Sequence, residues 1–204
     1  MDEIMDHEDE SEITAQAVLN VIQEAWLNEK LCPELLPNVT EYVEIMMEQV
    51  EQMEANVSQL ENTDLRSLIH KQEIERIKYL IRSYLRFRLE KIETYSLSLF
   101  KNPGVLSAEE MKFLKEYTTI TVEALKSLCQ NMPGPTGQLN SKQLEISPDL
   151  NAFVFVKSKE ALSDAIIVQD GVNEEEVIIE KDSQHILPYN AVKEHIRNST
   201  MVLM

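Results

Sequence analysis

The sequence predicts an α+β chain in which an all-helical bundle of long antiparallel helices precedes a small β-rich domain. Three observations predict it. Apolar residues recur at three- and four-residue spacing from about Ile13 to Met132, which is the helical period. Residues 133–148, PGPTGQLNSKQLEISP, hold three of the seven prolines and two of the four glycines, a linker composition. Beyond them, short β-branched and aromatic runs alternate with polar turns. The expected organisation is an acidic tail at 1–12, a helical domain at 13–132, the linker at 133–148 and the β-rich domain at 149–204.

Ile13, Ala17, Val21, Ile22, Ala25 and Trp26 mark the first helix. It ends before Pro33, because a residue preceding proline is pushed out of helical geometry. Pro33 and Pro37 bracket a turn that carries Leu35 and Leu36. Asn38 with Glu41 reads as a start signal close to a capping box. Behind it Val39, Val43, Met46, Met47, Val50, Met53, Val57 and Leu60 form an apolar stripe, with Glu41, Glu44, Glu48, Glu51 and Glu54 on the opposite side. Asn62, Thr63 and Asp64 break the chain. From Leu65 a third pattern runs without glycine or proline as far as Pro103, which allows a helix of some thirty residues. That is well beyond the ~11–12 residues of an average helix. Asn102-Pro103-Gly104 is a turn, and Ser107 with Glu110 is a capping box for a fourth helix through Met111, Leu114, Tyr117, Ile120, Leu125 and Leu128. Long helices with short connections argue for an antiparallel bundle.

In the last unit, Phe153–Val156, Ala165–Val168, Val177–Ile179 and Met201–Met204 read as strands, and Ala191–Ile196 as one or two helical turns. Phe153 and Phe155 are expected to line its core. A unit of 56 residues is marginal alone, so it is expected to dock on another surface.

Acids outnumber bases 36 to 19, for a net charge of -17. Broad electrostatic attraction to nucleic acid is therefore disfavoured, and no strong autonomous DNA binding is expected. The charge is unevenly distributed: residues 1–64 carry 17 acids and one base, whereas residues 65–93 carry 8 bases and 4 acids. An acidic segment followed by a basic one suggests two elements packed side by side. The first dozen residues read as a solvated acidic tail or, alternatively, a short docking peptide. No stretch approaches the ~20 apolar residues that cross a bilayer, and the N-terminus is acidic rather than basic-then-apolar, so no membrane partner is expected. Cys32 and Cys129 form no CxxC pair and no disulfide framework, which points to a reducing compartment.

No catalytic constellation is present: GxxxxGK[ST], GxGxxG, HExxH and GxSxG are all absent. His7, His70, His185 and His195 lie on unrelated elements without metal-ligand spacing, so no metal, cofactor or enzymatic activity is expected. Cys32, in an apolar turn, reads as a small buried hydrophobe. The basic stretch is more informative. Lys78, Arg82 and Arg86 share one face of the third helix, flanked by Arg76, Arg88 and Lys91. That face could contact DNA, or it could meet the acidic helix or a partner subunit. Tyr84, Phe87 and Leu89, interleaved with the charges, favour the second, because arginine with aromatic residues is an interface composition. A generic helical adaptor or tethering subunit is the rival reading, and it would carry no β-rich tail.

Several segments resemble one family. AWLNEKLCPELL (Ala25 to Leu36), IHKQEIERIKYLIRSYLRFRLEKIE (Ile69 to Glu93) and DSQHILPY (Asp182 to Tyr189) are similar to the Sld-five family of subunits of the GINS complex. LSAEEMKFLKEY (Leu106 to Tyr117) and PDLNAFVFV (Pro148 to Val156) extend the similarity, and RNSTMVLM (Arg197 to Met204) departs from it in lacking a glycine before the last strand. The resemblance implies a non-catalytic subunit of a four-protein nuclear assembly in DNA replication. It also implies three other GINS subunits as partners, association with the Cdc-forty-five protein and the Mcm ring in the replicative helicase, and contact with a replisome scaffold through the acidic tail. The interface residues expected on this reading are Trp26, Leu27, Leu35, Leu36, Arg82, Tyr84, Arg86, Phe87, Phe153, Phe155, His185 and Tyr189. Trp26, Leu27, Leu35 and Leu36 could equally form intrachain core, and His185 is expected to pack or hydrogen-bond rather than catalyse.

Overall fold

A computed structural model describes residues 14–59, 65–101, 103–130, 132, 145–162, 165–170 and 173–204. The acidic tail, the break at 62–64 and most of the 133–148 linker lie outside them. Helix α1 spans Ala15–Leu31 and is capped by Thr14, whose hydroxyl accepts the Ala17 N–H at 3.2 Å. Helices α2 (Thr40–Ser58) and α3 (Leu65–Thr94) complete a three-helix core built from Val18, Ile22, Val43, Met46, Val50, Ile77, Ile81 and Tyr84. The uninterrupted pattern after Leu65 does form one helix, of 30 residues.

The start of α2 differs from expectation. Val39 is the cap residue and makes no side-chain cap bond. The Asn38 amide instead reaches the Val105 carbonyl at 3.4 Å, while its oxygen lies 3.5 Å from the Thr40 N–H. A distant turn thus takes the side chain that local spacing assigned to a capping box.

A short helix α4 (Ser96–Leu99) and a 3-10 turn (Pro103–Val105) lead into α5 (Ala108–Gln130). Here the expected box forms: the Glu110 N–H donates to the Ser107 hydroxyl at 3.2 Å and the Ser107 N–H donates to the Glu110 carboxylate at 2.9 Å. Helix α5 is not an equal member of the bundle. It fully buries only Leu114, against Ile92 and Leu35, and leaves Ile120 and Leu128 exposed along its distal half.

In the C-terminal unit, β1 (Phe153–Ser158) is the centre of an antiparallel sheet of order β4–β1–β5, with β4 at Gln184–Pro188 and β5 at Met201–Leu203. Strands β2 (Ile166–Asp170) and β3 (Asn173–Val177) form a separate hairpin, and α6 spans Tyr189–Arg197. The expected strand at Val177–Ile179 is corrected to Asn173–Val177, which its polar residues concealed; register is set by Ile166 facing Val177. Strand β4 was not anticipated, since QHILP contains a single β-branched residue.

The expectation that Phe153 and Phe155 line the core is also overturned. Along β1 the side chains alternate, and Val154, Val156 and Ser158 take the inner positions. Phe153 and Phe155 therefore point outward, 71% and 56% exposed. The core beneath them contains Leu187, Tyr189, Val192, Ile196, Met201 and Leu203, and it is completed by Cys32 and Leu36 from the turn after α1.

Ser199 precedes the last strand with φ of 58°, in the left-handed region where a Cβ is crowded. Ser199→Gly should remove that crowding at some cost in unfolded-chain entropy, for a net gain of about 0.5–1 kcal/mol. Thermal unfolding checks it, and an unchanged or lower Tm would count against a strained turn.

Candidate functional site

The most constrained polar site is a buried junction on α3. Arg88 is fully buried, and each of its five N–H groups has an acceptor. Nε and Nη2 bind Glu110 as a fork, at 2.6 and 3.0 Å. Nη1 reaches Glu29 at 3.1 Å and the Leu36 carbonyl at 2.7 Å, and Nη2 also reaches the Val105 carbonyl at 3.0 Å. One guanidinium thereby joins α1, the following turn, the 3-10 turn and α5 to α3. Lys91, one turn on, binds the Glu29 carboxylate at 2.7 Å and the Glu34 carbonyl at 2.8 Å. Burial works against the Arg88 charge, but the Glu110 hydrogen bond, the nearby Tyr84 and the facing carboxylates outweigh it and hold its pKa above the ordinary value.

A second junction docks the C-terminal unit. Glu34 accepts from the Tyr189 hydroxyl at 2.7 Å, Arg197 at 2.9 Å and Lys193 at 3.1 Å, so three α6 side chains close on one carboxylate. The Asn28 side-chain oxygen accepts the Leu203 N–H at 2.9 Å, and Lys159 pairs with Glu24 at 2.6 Å. Burial pushes the Tyr189 phenol and the Cys32 thiol up, so both stay neutral. A thiol held protonated is a poor nucleophile, and Cys32 acts as packing. Both junctions bring structure together rather than activating a reacting group. Among the described residues no cluster of three or more His, Cys, Asp or Glu could hold a metal ion, and no helix is long and apolar enough to cross a membrane.

The predicted interface residues fall into two groups. Tyr84 is buried among the three helices of its own chain, and its hydroxyl accepts the Val39 N–H at 3.3 Å. Tyr189 is wholly buried, with its hydroxyl on Glu34 of the same chain. Leu35 packs towards α5 and Leu36 into the C-terminal core. Trp26 is half-buried and donates its indole N–H to Ser83 at 2.9 Å; Leu27 is also half-buried. His185 lies 2.9 Å from the Ser183 hydroxyl.

Arg82, Arg86, Phe153 and Phe155 are exposed, and Phe87 is half-buried. Three bases of α3 meet nearby acids: Lys78 reaches Glu54 of α2 at 2.5 Å, Arg76 binds Glu73 at 2.6 Å and Arg82 lies 3.5 Å from Glu75. The junction roles of Glu29, Glu34, Arg88 and Lys91 were not anticipated, and Glu110 was expected only as the capping partner of Ser107. The signal for Arg88 was present, since it stands on the buried face between Tyr84 and Ile92 at helical spacing.

Residues 148–204 match the family model described as DNA replication complex GINS protein SLD5 C-terminus, and residues 40–128 match the GINS complex protein helical bundle domain. A DNA replication complex GINS protein SLD5 from Xenopus laevis is 35% identical over 208 residues, covering 97% of this chain and 94% of the relative. The chain belongs to the SLD5 family of GINS complex subunits. The SLD5 similarity extends to Homo sapiens, at 32% identity with 94% of this chain and 91% of the relative covered. It reaches Schizosaccharomyces pombe at 25%, with 88% of each covered. Both family models fall on folded units seen here, the helices and the β-rich end. SLD5 membership makes this chain a structural component of DNA replication rather than an enzyme, and it displaces the generic adaptor reading.

Proposed function

We propose that this chain assembles with three other GINS subunits in the nucleus, and that the resulting tetramer joins the Cdc-forty-five protein and the Mcm ring as a rigid, non-hydrolysing part of the replicative helicase. The acidic tail is assigned to a replisome scaffold contact. The observation that carries the assembly reading is the apolar surface left open after folding. Phe153, Phe155 and Ile186 lie side by side on the outer face of the C-terminal sheet, with Phe155 directly opposite Ile186 in the β1–β4 register. On the helical side Leu85 and Leu89 are exposed on α3, the helix that carries Arg82 and Arg86, and Ile120 and Leu128 are exposed on α5. Apolar groups on several sides of a folded chain call for several neighbours.

Co-expression with three other GINS subunits, followed by size-exclusion chromatography, tests this. Arg82→Ala with Arg86→Ala should weaken recovery of the four-chain species while helix content by circular dichroism stays unchanged, since both side chains are exposed. Full recovery of the complex by that variant would remove the α3 stripe from the interface.

A further inference from the structure

We propose that Ser147 is a phosphorylation site for a proline-directed protein kinase, and that Lys193 and Arg197 of α6 receive its phosphate. Ser147 is exposed and is followed by Pro148 in an extended stretch with no helix or strand of its own. A kinase cleft takes its substrate extended, and the residue before a proline is already biased to that conformation. Ser147 and Pro148 line a cavity of about 700 Å³ together with Glu34, Lys193 and Arg197.

Charge in that cavity is unbalanced. Two bases, Lys193 and Arg197, share the single Glu34 carboxylate. A phosphoserine brings a charge of about -1.5 to -2 and three acceptor oxygens, and arginine matches such an anion with its two-toothed fork. In the reaction the Ser147 hydroxyl oxygen attacks the terminal phosphorus of a nucleoside triphosphate. The bond to the diphosphate leaving group breaks, and the hydroxyl proton is released, leaving phosphoserine and nucleoside diphosphate. The new anion then competes with Glu34 for Arg197 and Lys193, which loosens the hold of α6 on the turn after α1. Glu145 is already tied to Lys101, so the segment is anchored on one side of Ser147 and the phosphate stays near the cavity.

The test treats the folded full-length chain with a cyclin-dependent kinase and ATP, locates the phosphate by mass spectrometry and titrates it by 31P NMR. Incorporation at Ser147, absent from Ser147→Ala, is expected. Its second pKa should lie below the ~6 of a free phosphoserine and return to that value when Lys193→Gln and Arg197→Gln are combined. Arg197→Gln alone, at a partly exposed position, gives a smaller return and serves if the double variant does not fold. Failure of the folded chain to accept phosphate at Ser147, or the same phosphate pKa with and without the two bases, would overturn the proposal.

Discussion

Replacing Arg88 with alanine should unfold the chain at a temperature roughly 10 °C lower, or prevent its accumulation altogether. Breaking a buried ion pair by removing one partner costs about 3–5 kcal/mol, because the other charge is left buried without its counterion. Here the loss is compounded. Glu29 and Glu110 lose a shared cation, and the Leu36 and Val105 carbonyls lose their Arg88 donors. For a chain of this size each kcal/mol moves Tm by about 2–4 °C. Arg88→Lys keeps the charge but not the fork, and should fall between wild type and alanine. Calorimetric unfolding of the three proteins in parallel is the check, and an alanine variant melting within a degree or two of wild type would show that the junction is dispensable.

Glu34→Ala should open the joint between the helices and the C-terminal unit. The buried Tyr189 hydroxyl would lose its Glu34 acceptor, a loss that costs about 1–3 kcal/mol. Lys193 and Arg197 would face each other with their common carboxylate gone. Cys32 offers a direct reading of the result, because it is buried in the same cluster as Tyr189 and its thiol is held protonated. Alkylation of Cys32 at mildly alkaline pH, resolved from Cys129 by peptide mass, should be slow in the wild type and clearly faster in Glu34→Ala. Equal protection in the two proteins would mean that apolar packing alone holds the unit in place. This joint also changes what truncation means. Removing residues 149–204 would uncover Cys32 and Leu36, which belong to the C-terminal core as much as to the helices.

The helices were legible because each rests on a local rule. Proline at 33 and 103, the apolar period through α3 and the Ser107–Glu110 box are all read within a few residues, and each appears in the fold. The two junctions were not legible for a matching reason. Arg88 meets Glu29 across 59 positions and Glu34 meets Arg197 across 163, and single-sequence spacing carries no record of such pairs. Asn38 shows the same conflict on a small scale, its side chain drawn to a carbonyl 67 residues away instead of to its own helix. Phe153 and Phe155 were misplaced because aromatic content suggested a core, while the pleat of β1 reserves the inner face for Val154 and Val156. Their exposure is what puts them in the proposed assembly surface, since large exposed aromatics are suited to contact with a partner.

The outer face of that sheet provides the most direct test. Phe153→Ser with Phe155→Ser changes two exposed side chains and leaves the buried residues of β1 in place, so the isolated chain should fold with unchanged circular dichroism. Native mass spectrometry of the variant co-expressed with three other GINS subunits should then show the four-chain species lost or reduced at least tenfold, against a dominant tetramer for wild type. An intact tetramer at wild-type abundance would contradict the account, because the exposed aromatic face of the C-terminal sheet would then have no part in holding the assembly together.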